Sequence, residues 1–181
     1  MFSGSIPALV TPFSGNCVDE DSLRKLVEWQ VEQGSNGLVP CGTTGESATL
    51  SAAEQRRVIE LTVEAAAGRV PVIAGCGSND VAAVIEHLRT AKALGADAAL
   101  IVTGYYNKPS QSGLLAAYRA FSEASELPIV VYNIPSRAVV EISVETMAEI
   151  ARLPNVVAVK DATGNLGRVT AERLACPKGF V

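Results

Sequence analysis

The sequence predicts an α/β fold, a TIM-type (β/α)8 barrel truncated after about six βα units. Short β-rich runs alternate with stretches of helical periodicity along the chain. The β-rich runs are continuously apolar, which is typical of parallel strands covered by helices on both faces. Polar residues follow several of these runs, where a barrel builds its active site, and the first βα connection has no GxGxxG. We therefore expect one barrel domain over residues 1–181, without the last two βα units.

The predicted strands have β-branched, apolar composition and are bounded by turn residues. They are SIPALVTP, GLVPCG, VPVIAG, AALIVTG, PIVVYN and VVAVKD. The first predicted helix follows Asp19, the second begins at Ser51 with a capping box to Glu54, and the third ends before Gly95.

The remaining predicted helices are defined by their apolar faces. The fourth carries Leu114, Tyr118 and Phe121, the fifth carries Val144, Met147 and Ile150, and the sixth follows Asn165 through Val169 and Leu174 to Pro177.

Composition and charge exclude several classes of protein. Hydrophobic residues make up 48% of the chain, charged residues 19%, and the formal net charge is -4. An acidic chain without a basic stripe predicts neither a nucleic-acid partner nor an anionic membrane partner. Pro7 and Pro12 interrupt any signal-peptide core, and no stretch reaches about 20 apolar residues, so we expect a cytoplasmic protein.

Four cysteines are scattered without a CxxC pair: Cys17, Cys41, Cys76 and Cys176. This spacing favours neither a zinc site nor a disulfide framework. We expect reduced, partly buried thiols, and the sequence predicts no metal and no cofactor.

A single lysine, Lys160, interrupts the apolar run VVAVKDATGN. Burial among valines disfavours an ammonium, and a neutral amine can condense with a ketone to form a Schiff base. Lys160 is therefore a candidate nucleophile. Two structural alternatives remain open: its amine reaches water along a packed stem, or it pairs with Asp161.

The stretch CGTTGES follows the second predicted strand and includes Gly42, Thr43, Thr44 and Gly45. A glycine-flanked turn of this kind can present backbone N–H groups and two hydroxyls to a substrate carboxylate. It lacks the Gly-Lys-Ser/Thr ending of a phosphate loop. A tight turn without a ligand is the structural alternative.

Three tyrosines and an arginine follow the fourth and fifth predicted strands. Tyr105 and Tyr106 lie in GYYNKPSQ. Tyr132 is the first residue of YNIPSR, and Arg137 is its last. Phenols can relay the protons that a Schiff-base reaction moves, although a buried, hydrogen-bonded tyrosine is the structural alternative. Arg137 offers a bidentate fork for a carboxylate, or else is a solvated loop residue.

Taken together, these stretches resemble the dihydrodipicolinate synthase family, within the class I pyruvate-dependent lyases and aldolases. The resemblance runs from GSIPALVTPF through GTTGESATL, PVIAGCGSN, YYNKPSQ and YNIPSR to VKDATGNL. It implies condensation of pyruvate with aspartate semialdehyde, the first committed step of lysine and diaminopimelate synthesis, on a barrel that forms a homotetramer of two tight dimers. It also implies that a C-terminal helical region follows the two missing βα units.

The resemblance assigns a role to each candidate residue. Lys160 forms the Schiff base with pyruvate, and Thr43, Tyr132 and Tyr106 form the proton relay, with Tyr106 reaching the neighbouring subunit's site. Thr44 and the Gly42 turn hold the pyruvate carboxylate. Arg137 guides the carboxylate of the semialdehyde.

Several positions depart from the family pattern. Gly104 stands where proline is more frequent, and Ala138 and Val139 replace the usual Thr-Gly. Asn79 and Tyr105 match the lysine-inhibited members, but Ala83 replaces the glutamate that holds the effector's amine, so weak inhibition by lysine is expected.

Two other functions remain open: a sister pyruvate-dependent aldolase, such as an N-acetylneuraminate lyase or a keto-deoxy-sugar acid aldolase, and a catalytically silent truncated fragment. YYNKPSQ and YNIPSR favour the synthase. A fragment would leave strand edges unpaired.

Overall fold

The computed structural model describes residues 2–181, in which helices alternate with strands after a short N-terminal hairpin. The strands are β1 (Phe13–Ser14), β2 (Cys17–Val18), β3 (Ile73–Gly75), β4 (Ala98–Val102), β5 (Ile129–Asn133) and β6 (Val156–Asp161). The helices are α1 (Glu20–Glu32), α2 (Ala52–Ala66), α3 (Val81–Ala93), α4 (Gln111–Ala124), α5 (Pro135–Ala138), α6 (Val144–Ile150) and α7 (Leu166–Ala175).

All six predicted helices form at the expected places. The capping box at the start of α2 is present, with the Ser51 hydroxyl accepting from the backbone N–H of Glu54 and the Glu54 carboxylate accepting from the backbone N–H of Ser51. Asp19 caps α1 by accepting from the backbone N–H of Ser22. The four-residue helix α5 was not predicted.

Two of the six predicted strands are reduced to isolated parallel bridges. In SIPALVTP only Ala8 pairs, with Val39, and in GLVPCG Leu38 also pairs with Val72. Proline lacks a backbone N–H, so Pro7 in the first segment contributes only its carbonyl to the ladder. The antiparallel hairpin β1–β2 that follows was not predicted.

The chain divides into two compact units, and each is described by itself. The first comprises the residues up to Cys76 together with Thr90–Ala99, and the second comprises Gly77–Arg89 and Leu100–Val181. The expected single barrel domain over residues 1–181 stays a prediction.

In the first unit, α1 packs against α2, and β3 lies beside the first residues of β4. A cluster of buried apolar side chains from both helices and the bridged segments fills its core: Leu9, Val27, Leu38, Ala65, Ala66 and Val72. Ion pairs from Arg57 to Glu20 and from Arg24 to Glu64 join the outer surfaces of the two helices.

In the second unit, the remainder of β4 is followed by β5 and β6, and β5 pairs with β6 in parallel. Helix α4 packs against α6, and α6 packs against α7. As predicted, α4 buries Tyr118 and Phe121, whose rings meet edge to face, and the Tyr118 hydroxyl donates to the carbonyl of Ile101. The predicted markers of the sixth helix, Val169 and Leu174, are exposed.

Candidate functional site

The turn in the first unit that carries both threonines is fixed by its backbone. The N–H groups of Gly45 and Ser47 donate to the carbonyl of Gly42, and the N–H of Glu46 donates to the carbonyl of Thr43. The buried Thr11 hydroxyl donates to the carbonyl of Gly45 at 2.7 Å. These bonds hold the turn without using the side chains of the two threonines.

The glycines of the turn are buried, whereas Thr43 and Thr44 are exposed. A Cβ on Gly45 would lie 3.0 Å from the carbonyl oxygen of Leu9, so the backbone is packed closely there. Gly42 has room for a Cβ, whose nearest neighbour would be Val39 at 3.6 Å. The turn therefore presents two hydroxyls on a rigid base.

A close backbone approach supports this turn from β3. A Cβ on Gly75 would lie 1.9 Å from the carbonyl oxygen of Cys41, so only glycine fits there without a shift of the backbone. Cys41 itself has φ +54°. The side-chain amide of Gln55 in α2 donates to the carbonyl of Gly75 at 2.9 Å. The backbone carbonyl of Gln55 accepts from the Cys41 thiol.

None of the four cysteines, all of which lie in the described residues, forms a disulfide, and they differ in burial. Cys41 and Cys76 are buried, Cys176 is partly buried and Cys17 is exposed. Burial raises the pKa of Cys41 to about 12, and burial also raises the pKa of Cys76. A thiol that resists ionisation is a poor nucleophile, so neither buried cysteine is suited to that role.

In the second unit, Lys160 and Tyr132 meet at the carboxyl ends of β6 and β5. They are register partners in the parallel pair, so their side chains share one face of the sheet. The Lys160 Nζ lies 4.4 Å from the centroid of the Tyr132 ring, which is cation–π distance. The adjacent partners Asn133 and Asp161 face the opposite side.

Lys160 is exposed, whereas Tyr132 is only 6% exposed. The expectation that the ammonium is buried among apolar residues is therefore wrong for this chain. Alternate residues of a strand point to opposite faces, and the valines next to Lys160 in sequence do not surround its amine. The alternative pairing with Asp161 is also wrong, because Asp161 pairs with Arg168.

In the second unit, Tyr106 is exposed in a loop and Arg137 is exposed in the short helix α5. Tyr106 is 86% exposed and has φ +69°, so its ring projects from a constrained loop. The side-chain amide of Asn107 ties this loop to the carbonyl of Asn79. The C-cap residue of α5, Val139, has φ +68°.

An ion-pair network that was not predicted from the sequence surrounds Arg168 in α7. The Arg168 side chain is 8% exposed, and its guanidinium contacts the carboxylates of Asp161, Glu172 and Glu141. Burial opposes ionisation of Asp161, but hydrogen bonds from Thr163 and Arg168 outweigh it and hold the pKa of Asp161 below its ordinary value. Burial raises the pKa of Glu172. The i, i+4 spacing of Arg168 and Glu172 was the signal available in the sequence.

Among residues 2–181, no group of three or more His, Cys, Asp and Glu side chains is arranged to hold a metal ion. The carboxylates around Arg168 are already engaged by its guanidinium. None of the helices in this part of the chain has the length and apolar character needed to cross a bilayer.

Comparison with known proteins identifies close relatives. The 4-hydroxy-tetrahydrodipicolinate synthase of Sphingopyxis alaskensis is 62% identical over 180 residues, which cover 99% of this chain and 62% of the relative. The Rhizobium meliloti synthase is 59% identical over 183 residues, covering 100% of this chain and 62% of that protein. The chain thus spans about 62% of the length of these curated relatives.

Solved structures of dihydrodipicolinate synthases have the same fold as this chain over the length they share. The dihydrodipicolinate synthase of Aquifex aeolicus is 44% identical with a TM-score of 0.97, over 99% of this chain and 61% of that one. The chloride-inhibited synthase of Acinetobacter baumannii, solved with pyruvate, is 48% identical with a TM-score of 0.92, over 96% of this chain and 61% of that one. The predicted α/β fold class is thereby confirmed over the shared length.

One family model spans the whole chain. It is described as the dihydrodipicolinate synthetase family, and it matches residues 1–181. The chain belongs to the dihydrodipicolinate synthetase family.

Proposed function

We propose that this chain carries the Schiff-base site of a 4-hydroxy-tetrahydrodipicolinate synthase, a lyase that condenses pyruvate with L-aspartate semialdehyde. The observation that carries the proposal is the pairing of Lys160 with Tyr132 across β5 and β6, with Nζ 4.4 Å from the ring centroid. An amine and a phenol at the carboxyl ends of neighbouring parallel strands are a nucleophile and a proton carrier in one place.

The chemistry assigned to Lys160 is imine formation. Its neutral amine adds to the ketone carbon of pyruvate, and the carbinolamine then loses water to give the Schiff base. Loss of a proton from the pyruvate methyl group gives an enamine, whose carbon attacks the aldehyde of the second substrate. The amino group of that substrate then displaces Lys160 as the ring closes, so one water is released overall.

Each of these steps moves a proton, and three hydroxyls are assigned to carry them. Tyr132 lies beside Lys160 and is the first carrier, and Thr43 and Tyr106 complete the relay. Thr44 and the Gly42 turn hold the pyruvate carboxylate, since an exposed hydroxyl on a rigid turn suits a small anion. Arg137, exposed in α5, takes the carboxylate of the semialdehyde through its planar fork.

The exposure of Tyr106 supports its assigned place in an assembly. A tyrosine that is 86% exposed on a constrained loop has a large apolar surface available for a partner. We assign it to the neighbouring subunit's site in a cytoplasmic homotetramer of the whole protein. The relatives quoted above are named synthases, which favours this activity over the sister aldolases.

The test is covalent trapping on the 181-residue chain. Pyruvate with borohydride is expected to add a reduced three-carbon acid to Lys160, located by peptide mass mapping. Lys160→Ala should abolish the label, whereas Lys25→Ala, which removes an exposed lysine of α1, should leave it unchanged. Equal labelling of Lys160 and Lys25 would contradict a specific Schiff-base site.

A second measurement separates the candidate activities. If chain not treated with borohydride is supplied with pyruvate and aspartate semialdehyde, the synthase proposal expects consumption of both substrates in equal amounts. Trapping without condensation would identify a silent fragment. Cleavage of N-acetylneuraminate to pyruvate would instead identify the sister aldolase.

A further inference from the structure

Arg168 is tied to the residue that follows Lys160. Its Nε donates to Asp161 Oδ2 at 3.0 Å, and its Nη2 donates to Glu172 Oε1 at 2.6 Å. Both carboxylates are largely buried, with side chains 16% and 6% exposed. A buried guanidinium between the buried Glu172 and the partly buried Asp161 is a fixed point, because removing it would leave charges without partners.

Asp161 also bonds to the backbone that follows Lys160, so it connects Arg168 to that segment. Its second carboxylate oxygen, Oδ1, accepts from both the N–H and the hydroxyl of Thr163. The N–H of Ala162 donates to the carbonyl of Asn133 at 2.8 Å, which continues the pairing with β5. The end of β6 is therefore held by side-chain and backbone bonds on the face opposite the Lys160 amine.

The same guanidinium also holds the segment that follows Arg137. Arg168 Nη2 donates to the carbonyl of Ile142 at 2.8 Å, and the N–H of Ile142 donates to Asn133 Oδ1. Arg168 Nη1 donates to Glu141, whose backbone carbonyl accepts from Gln111. One side chain thus connects the strand that bears Lys160 with the connection that leads out of α5.

We propose that Arg168 is a positioning residue, which fixes the Lys160 end of β6 against the segment that follows Arg137. This inference rests on the proposed function, since Lys160 is taken as the reacting amine. Reaction rates depend strongly on small displacements of a reacting group. Loss of Arg168 therefore slows imine formation without removing any group that binds pyruvate.

The test compares borohydride trapping rates of Lys160 across a range of pyruvate concentrations in the 181-residue chain. Arg168→Met is expected to lower the maximal labelling rate about 10- to 100-fold. The pyruvate concentration at half-maximal rate should change less than about twofold, because the carboxylate-binding turn is untouched. Arg168→Lys should recover part of the rate, since an ammonium can pair with Asp161 but cannot form the fork.

Two further variants keep the test decisive. Arg173→Met is the matched control, because Arg173 lies on the same helix and its bond runs to the carbonyl of Phe180 instead of to Asp161. It should label at the wild-type rate. If Arg168→Met does not fold, Asp161→Asn weakens the same tie at nearly constant volume and is expected to slow labelling in the same way. Wild-type labelling rates in folded Arg168→Met or Asp161→Asn would overturn the proposal.

Hydrogen exchange separates this inference from the proposed function. Amides of residues 160–166 should exchange at least about tenfold faster in Arg168→Met than in wild type, while amides of α2 remain unchanged. If wild type is not labelled by pyruvate but this local exchange appears, the proposed function fails and the positioning role stands. Unchanged exchange over residues 160–166 would overturn the positioning role whatever the labelling result.

Discussion

The turn at Gly42–Ser47 and the end of β6 at Lys160 are held in place by different forces. Backbone hydrogen bonds and close glycine packing fix the turn, and its Thr43 and Thr44 side chains are exposed. A buried guanidinium that pairs with the buried Glu172 and the partly buried Asp161 fixes the strand end. Added side-chain atoms should therefore lower the stability of the turn, whereas loss of a charge should lower the stability of the strand end.

The largest expected effect comes from removing one hydroxyl in each region. Tyr132→Phe and Thr43→Val should each slow pyruvate trapping at Lys160 about 10²- to 10⁴-fold, the usual contribution of a proton carrier. Because Thr43 is exposed, Thr43→Val should alter the free energy of unfolding by less than about 0.5 kcal/mol. Trapping rates and thermal melts of both variants check this, and an unchanged rate in either would remove that residue from the relay.

The next largest effect tests the packing behind the turn. Gly75→Ala should lower the free energy of unfolding by about 3 kcal/mol, because the added methyl group overlaps the carbonyl of Cys41 and the backbone must shift. Gly113→Ala in α4 is the control, since its Cβ would meet nothing closer than 3.4 Å and alanine favours a helix. Urea denaturation measures both, and equal stability of the two variants would show that the turn is not closely supported.

Charge at the strand end gives a pH-dependent effect. Because the folded-state pKa of Asp161 is lowered, its contribution to stability is present above the ordinary pKa of 3.8 and is lost as the pH falls through the folded value. Asp161→Asn should therefore cost about 1–3 kcal/mol at pH 7 and progressively less below pH 3.8.

Glu172 is the matched comparison for Asp161. Its folded-state pKa is raised, so its contribution is present below the ordinary pKa of 4.5 and is lost as the pH rises through the folded value. Glu172→Gln should accordingly cost less than Asp161→Asn at pH 7. Denaturant midpoints of both variants, measured between about pH 3 and pH 8, test which substitution costs more stability. A larger loss of stability in Glu172→Gln at pH 7 would contradict the opposite pKa shifts given to these two carboxyls.

The smallest effect concerns backbone strain in the connection after α5. Val139 has φ +68°, a conformation that a β-branched residue rarely adopts. Val139→Gly should stabilise the chain by about 1 kcal/mol, since the relief of strain exceeds the extra entropy of an unfolded glycine. Val140→Gly, at the neighbouring position, should destabilise it. A melting temperature that falls in Val139→Gly would show that the valine side chain contributes packing instead.

Local signals account for most of what could be predicted. The capping box of Ser51 and Glu54 and the buried face of Tyr118 and Phe121 depend on residues within one or two helical turns. Strand lengths were less predictable, because the bridge from Ala8 to Val39 depends on a partner 31 residues away. The expected burial of the Lys160 amine was wrong and the alternative that it reaches water holds, since valine neighbours in sequence do not show what covers the amine.

The amino-acid sequence alone was enough to predict the alternation of strands and helices, the position of Lys160 at a strand end and the family of the chain. These follow from periodicity and motif, which are properties of short segments. The pairing of Asp161 with Arg168 is evident only in the folded chain. The same is true of the bonds from Arg168 to Glu141 and Ile142, which are 27 and 26 residues away. Burial of a charge depends on which distant segments enclose it, and that enclosure exists only once the chain has folded.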